Sequence, residues 1–217
     1  MKVGVIAAGG NLGGRIVTEC LDRGHAVTAF INKTPCKDAR AQSVQKGLFD
    51  LKQEDIAPFD VVFSAYGSGF DADPVINRKA MNALAALVRG TDVRAISIAG
   101  SGCLFADESK TVRVYELPDH PPFLKGISEN TTLGVLDVMA MEDVHYTFVS
   151  PGLCFDGDGA RTGDYLTSTD MVVTTNDDGG SYTAYSDLAA AMVDFAEQGD
   201  FDRAFVTVLS RKGTPNW

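Results

Sequence analysis

The first fourteen residues, Met1-Lys-Val-Gly-Val-Ile-Ala-Ala-Gly-Gly-Asn-Leu-Gly-Gly14, restrict the fold more than any other stretch. Val3, Val5 and Ile6 form a short apolar run suited to a buried strand. Glycines follow at 9, 10, 13 and 14. A helical pattern then places Leu12, Ile16, Val17, Cys20 and Leu21 on one face, and Arg15, Glu19, Asp22 and Arg23 on the other. Gly24 is placed to end that helix. Strand, glycine turn and helix open a dinucleotide-binding unit, in which backbone N–H groups approach a pyrophosphate and the helix N-terminus favours its charge. Gly10 and Gly13 fit the last two positions of a G-x-x-G-x-x-G pattern, and Ala7 holds the first. An alanine there is expected to keep negative φ. The plainer alternative is a turn that only packs the helix onto a sheet.

The chain has 217 residues, 45% of them hydrophobic and 22% charged, which suits one α/β domain spanning residues 1–217. Its formal charge of -10 repels phosphate backbones, so nucleic acid is not expected as a partner. No apolar run approaches membrane-spanning length, so no membrane partner is expected. The N-terminus does not read as a signal-peptide core, and the four cysteines form no C-x-x-C pair. A cytoplasmic, reduced protein is therefore expected. No His/Cys/Asp cluster has metal-ligand spacing, so no metal is expected. Oligomeric state is not legible.

Taken in order, His25 to Ile31 reads as a second strand. Where NAD-specific units carry a carboxylate for the ribose 2′-hydroxyl, this chain has Asn32 and Lys33, with Lys37 and Arg40 nearby. A lysine attracts a 2′-phosphate, so the reading is NADP over NAD, against the alternative of a solvated loop. A helix end and a short strand around Val44 are expected within 41–47. Phe59 to Ala65 is a strand ending in Tyr66-Gly67. Asp73-Pro74 reads as an N-cap and first helical residue, for a helix ended by Gly90. Val93 to Ala99 is a strand followed by Gly100-Ser101-Gly102. Residues 103–132 read as a long ordered loop, 133–141 as a helix and 146–150 as a strand. Residues 156–185 read as a β-hairpin. Ser186 reads as the N-cap of a helix over 187–197, 205–208 as the last strand and 211–217 as a frayed tail. The alternation predicts an α/β, Rossmann-like, doubly wound and mostly parallel sheet with a small C-terminal hairpin/helix substrate region. Substrate contacts are expected from about 103–132 and 151–186.

With these residues placed, the chain resembles the atypical short-chain dehydrogenase/reductase superfamily. Within it, the likeness is to NAD(P)H-binding NADH-flavin reductases, which are similar to biliverdin reductase B and NmrA-like proteins. It rests on Ile6 to Gly13, Phe49-Asp50-Leu51, Asp60 to Ala65, Gly100 to Leu104, Ser150 to Phe155 and, most specifically, Arg161-Thr-Gly-Asp-Tyr165. The resemblance implies that Ala7, Gly9, Gly10, Asn11, Leu12 and Gly13 cradle the pyrophosphate. It puts Asn32 and Lys33 at the adenosine ribose, and Asp50 and Leu51 by the adenine. Ala65, Tyr66 and Gly67 would pass under the cofactor. Gly100, Ser101, Pro151, Gly152 and Leu153 would border the nicotinamide. The arginine often found at the position of Asn32 is absent.

Short-chain dehydrogenases that reduce simple carbonyls use a Tyr-x-x-x-Lys pair, in which lysine lowers the tyrosine pKa. None of the tyrosines at 66, 115, 146, 165, 182 and 185 has lysine four residues on. Flavins and quinones take hydride readily, and the protein then supplies mainly proximity and orientation. The expected function is thus an NAD(P)H-dependent reductase of a flavin, quinone or similar conjugated acceptor. Ser101 is the candidate catalytic group, and Tyr115 and His120 are candidate substrate contacts. The alternative is a non-catalytic NAD(P)-sensing, NmrA-like regulator. A sugar-nucleotide epimerase fits less well, because it also needs the tyrosine.

Overall fold

The computed structural model describes residues 1–214. Its elements run β1 (Lys2–Ile6), α1 (Asn11–Asp22), β2 (Ala26–Ile31), β3 (Gln42–Gln45), α2 (Gln53–Ile56), β4 (Val61–Ser64), α3 (Val75–Val88) and β5 (Arg94–Ile98). They continue with α4 (Pro122–Met139), β6 (Tyr146–Pro151), β7 (Cys154–Asp156), β8 (Tyr165–Ser168), β9 (Tyr182–Ala184), α5 (Tyr185–Gln198) and β10 (Ala204–Ser210). Eight strands form one sheet in the order β3-β2-β1-β4-β5-β6-β10-β8. Every neighbouring pair is parallel except β8–β10. β7 and β9 make a separate two-stranded parallel ribbon. This is the Rossmann-like, mostly parallel sheet that the alternating pattern predicts.

Parallel sheets of this kind bury both faces, and the strand residues sort accordingly. Val3, Val5, Val61, Phe63, Ile96, Val149, Val206 and Val208 pack with α1 and α5. Ile6, Val62, Ala95, Phe148 and Phe205 point the other way, to the core that includes α3 and α4. Among the described residues, no helix is long and apolar enough to cross a membrane.

Several boundaries differ from the sequence reading. The stretch 103–132 is not one loop, because α4 starts at Pro122. A proline is compatible with the first turn of a helix. The glycine that weakens this helix on paper serves packing: a Cβ on Gly134 would stand 2.9 Å from Met81 Cβ and 3.0 Å from Arg78 Cα of α3. The hairpin within 156–185 does not form. β8 pairs instead with β10, and residues 171–175 are irregular, held by a single bridge from Val172 to Phe105. Asp187 accounts for the change. It is wholly buried and accepts hydrogen bonds from Thr162 N (2.7 Å), Thr162 Oγ1 (2.9 Å), Gly163 N (2.9 Å) and Ser210 Oγ (2.7 Å). That clamp turns the chain so that Tyr165 runs beside the end of β10.

Smaller shifts have local causes. α3 begins at Val75 rather than at Pro74, and Asp73 Oδ1 accepts the Val75 N–H at 3.1 Å. α5 begins at Tyr185 with Ala184 as its cap. Ser186 therefore lies inside the first turn, where its Oγ donates to the Gly159 carbonyl at 3.2 Å. No helix end forms within 41–47; β3 alone occupies that stretch. The tail is tied down as far as it is described. Arg211 bonds Asp164 at 2.7 Å, and Gly213 N donates to Asp178 at 2.9 Å. Residues 215–217 of the expected frayed tail lie outside the described residues.

Candidate functional site

The glycine turn sits between β1 and α1. Gly10 N donates to the Ala7 carbonyl at 3.0 Å, closing the turn. Ala7 does not hold negative φ as expected; its φ is 59°. The tight turn demands the left-handed conformation, and the packing around it overrides the alanine's own preference. Two glycines are sterically required. A Cβ on Gly9 would lie 1.9 Å from the Thr34 carbonyl oxygen, and one on Gly13 would lie 2.3 Å from the Ala7 carbonyl oxygen. The first pins the turn to the loop after β2. The second seats α1 on the end of β1. α1 has no side-chain cap and no acidic residue in its first turn. Its leading N–H groups and dipole are therefore not neutralised by the chain itself, which is the arrangement a pyrophosphate needs.

Beside this turn lies a cleft of about 350 Å³ at the C-terminal ends of the central strands. Its walls include Asn11 and Leu12 of α1, Ala65, Tyr66 and Gly67 after β4, and Gly100 after β5. All six are sequence-predicted positions. Cβ atoms built on Gly67 and Gly100 would meet nothing within 4 Å. The strand ends thus leave an open shelf at a crevice where open α/β sheets bind ligands. The walls fit a dinucleotide: an uncapped helix N-terminus at one end and a bare backbone shelf below.

The remaining walls include Phe70, Asn77, Met81 and Ile98, which the sequence did not single out, and Ile127, Ser128, Thr131, Phe155 and Tyr185, which fall within the stretches 103–132 and 151–186 expected to contact substrate. Phe155 and Tyr185 stack at 3.7 Å between ring centroids. Phe70 pairs edge-on with Phe123 at 5.6 Å, and both rings are largely exposed. None of the residues lining the cleft is Asp, Glu, Lys or Arg. Burial pushes the phenols of Tyr66 and Tyr185 and the thiol of Cys103 above their ordinary pKa values.

Other predicted positions lie around this cleft rather than on its walls. Ser101 opens a 3-10 turn directly after Gly100, and its carbonyl accepts the Leu104 N–H at 3.0 Å. Pro151 and Gly152 are buried and Leu153 is exposed, while Phe155, two residues on, reaches the cleft. Gly152 N donates to Thr183 Oγ1 at 2.8 Å. Asn32 and Lys33 are exposed beyond β2, with the Asn32 carbonyl accepting from Gln45. Asp50 is exposed and accepts the Gly47 N–H at 3.1 Å, next to the buried Leu51. Tyr115 and His120 are half-buried. His120 Nε2 lies 3.3 Å from the Oγ of Ser128, a cleft residue.

The missed residues had no motif to announce them. Phe155 stood inside the Ser150–Phe155 segment but two places past the expected contacts. Ser128, Thr131 and Ile127 belong to a helical turn that was read as loop. An i, i+3, i+4 pattern through residues 124–135 was the available signal, and its two glycines and two threonines obscured it.

The sequence model of a family described as NAD(P)H-binding matches residues 7–199. The chain belongs to that NAD(P)H-binding family. A nicotinamide cofactor is therefore the ligand that the family match supports. The uncharacterized protein YwnB of Bacillus subtilis (strain 168) is 34% identical over 212 residues, covering 97% of this chain and 99% of the relative. A solved structure from Streptococcus pneumoniae TIGR4, described as a candidate NADH-flavin reductase, matches with a TM-score of 0.90 at 34% identity. That match covers 97% of this chain and 99% of the other. A candidate epimerase from Bacteroides thetaiotaomicron matches with a TM-score of 0.84 at 22% identity, over 99% of each chain; it shares the fold. These relationships agree with an atypical short-chain dehydrogenase/reductase assignment for this member of the NAD(P)H-binding family.

Proposed function

We propose that the protein is a reductase that passes hydride from NADPH, in preference to NADH, to a flat conjugated acceptor such as a flavin or quinone. The observation that carries this reading is the cleft's chemistry. In a chain with a formal charge of -10, a cleft without an ionised wall residue and with Tyr66, Phe70, Phe155 and Tyr185 on its walls suits an uncharged aromatic ring. Offset or edge-on aromatic contacts hold such a ring by its faces. The absence of a Tyr-x-x-x-Lys pair fits acceptors that need little activation.

A bound nicotinamide supplies the hydride. The chain's own part is to hold it: the first turn of α1 takes the pyrophosphate, Lys33 the 2′-phosphate, and Gly67 and Gly100 leave room over the strand ends. Proximity and orientation then carry most of the rate. The relative described as a candidate NADH-flavin reductase supports a reductase, while exposed Lys33 and the absence of a carboxylate at the end of β2 itself support NADPH.

The test is consumption of NADPH and NADH, followed by absorbance, with flavin mononucleotide, riboflavin and simple benzoquinones. Acceptor-dependent oxidation above the uncatalysed rate is expected, with NADPH preferred and the preference reduced about 10-fold or more by K33E. Cofactor binding without turnover on any acceptor would replace this reading with the regulatory sensor. Equal use of both nucleotides would remove Lys33 from its role.

A further inference from the structure

Hydride transfer to a quinone or flavin leaves an anion on the acceptor, and that anion must take up a proton. The cleft's hydroxyl and thiol groups are those of Tyr66, Ser68, Cys103, Ser128, Thr131 and Tyr185. Tyr66, Tyr185 and Cys103 are made weaker acids by burial. Ser128 differs from them in having a titratable partner behind it. It lies on the second turn of α4, forms part of the cleft wall, and its Oγ is 3.3 Å from His120 Nε2. Its position is fixed from both sides. The Ser128 carbonyl accepts from Thr132 Oγ1 at 2.8 Å. Across the cleft edge, a Cβ on Gly102 would lie 2.6 Å from Ser128 Cβ and 2.8 Å from its Oγ, so only a glycine there leaves the hydroxyl its place. His120 is half-buried in the turn before α4, where its backbone N–H bonds the Leu117 carbonyl at 3.2 Å.

We propose that Ser128 hands its hydroxyl proton to the reduced acceptor and that His120 replaces it from solvent, the two side chains forming a proton relay through the cleft wall. This rests on the reductase reading above. In the balanced step, a C–H bond of the dihydronicotinamide breaks and its two electrons and hydrogen form a new bond on the acceptor. The acceptor's anionic oxygen or nitrogen takes the proton from Ser128 Oγ. Ser128 Oγ takes the proton from His120 Nε2, and His120 takes one at Nδ1 from a solvent water, whose hydroxide the buffer neutralises. The cofactor is oxidised by two electrons, the acceptor is reduced by two, and the relay ends neutral with its imidazole tautomer switched. A neutral imidazole serves this purpose, and burial keeps the His120 pKa below its ordinary value; Asp119 raises it and Lys125 lowers it. Ser128 touches the acceptor in this scheme; His120 acts through it.

The test uses S128A and H120Q in the full chain. Two acceptors are compared: a benzoquinone, whose reduction needs a proton, and N-methylacridinium, a flat cation that takes hydride and needs none. The quinone-to-acridinium rate ratio is expected to fall about 100-fold in each variant, in line with loss of a general acid, and no further in the double variant. The solvent deuterium isotope effect on quinone reduction should be present in the wild type and change in both variants. A readout free of cofactor accompanies these: the ring nitrogen shifts and titration midpoint of His120, by NMR, should move on S128A substitution. A ratio that stays level, or His120 ring signals that ignore S128A, overturns the relay while leaving the reductase reading in place. A wild type that reduces neither acceptor overturns the reductase reading and the relay with it.

Discussion

Ala7 holds a left-handed conformation at φ 59°, at the first position of a turn whose fingerprint has glycine there. Such a conformation costs an alanine about 1–2 kcal/mol, whereas glycine loses about 0.4–1 kcal/mol through its freer unfolded chain. A7G is therefore expected to stabilise the protein by about 1 kcal/mol, read as a higher urea midpoint at an unchanged slope. A lower midpoint would mean that the turn does not hold Ala7 in this conformation. G9A is expected to do the opposite, because its methyl group would have to displace the Thr34 backbone. The glycine spacing was readable from the sequence, and so was its position between strand and helix. The sign of φ at Ala7 was not. Local preference predicts the negative value, and only the carbonyl-to-Gly10 bond and the approach of Gly13 explain the positive one.

Among the elements, the segment Arg161 to Tyr165 joins α1 to α5. Arg161 bonds both oxygens of Glu19 at 2.7 and 2.8 Å, Glu19 also bonds Arg23, and Tyr165 Oη donates to Asp194 at 2.7 Å. The hydrogen bond from Arg161, and then that from Arg23, holds the Glu19 carboxyl below its usual pKa against the opposing effect of burial. A lowered folded pKa means stability that is present above the usual carboxylate range and lost as pH falls through the lowered value. R161A is expected to cost about 1 kcal/mol at neutral pH, a modest figure because the arginine is half exposed. The gap between wild type and variant should narrow in acid and at high salt, as thermal melts across pH would show. A pH-independent gap would assign the loss to packing. The sequence singled this segment out through a family likeness, without saying what it did. Its structural work depends on partners at 19, 187 and 194, pairings of long sequence separation that no local pattern encodes. The central strands were readable because each is a short apolar run between turn residues. β8 was given the wrong partner because its true one lies beyond the next helix.

For the molecule as a whole, Asp187 ties the region after β7 to the last strand. Without its carboxylate, the buried Ser210 hydroxyl and two part-buried backbone N–H groups lose their acceptor. D187A is expected to cost about 3 kcal/mol or more by urea denaturation, with D187N losing less. A cost under about 1 kcal/mol would show that water replaces the clamp. The end of the cleft beside the glycine turn was legible from glycines and strand ends. The far end was legible only as the stretches 103–132 and 151–186, not residue by residue, since it is assembled from β7, α4 and the first turn of α5, which meet only after folding. The position of β10 between β6 and β8 has a consequence for how the chain is made. As the protein leaves the ribosome, β8 emerges before β10, its partner in the main sheet, and β6 keeps an open edge until residues 204–210 follow. Synthesis that stalls before that point leaves two unpaired strand edges on one nascent chain, the species most prone to join a neighbour. The closing strand therefore guards solubility during synthesis, and late truncations should show up first as inclusion bodies.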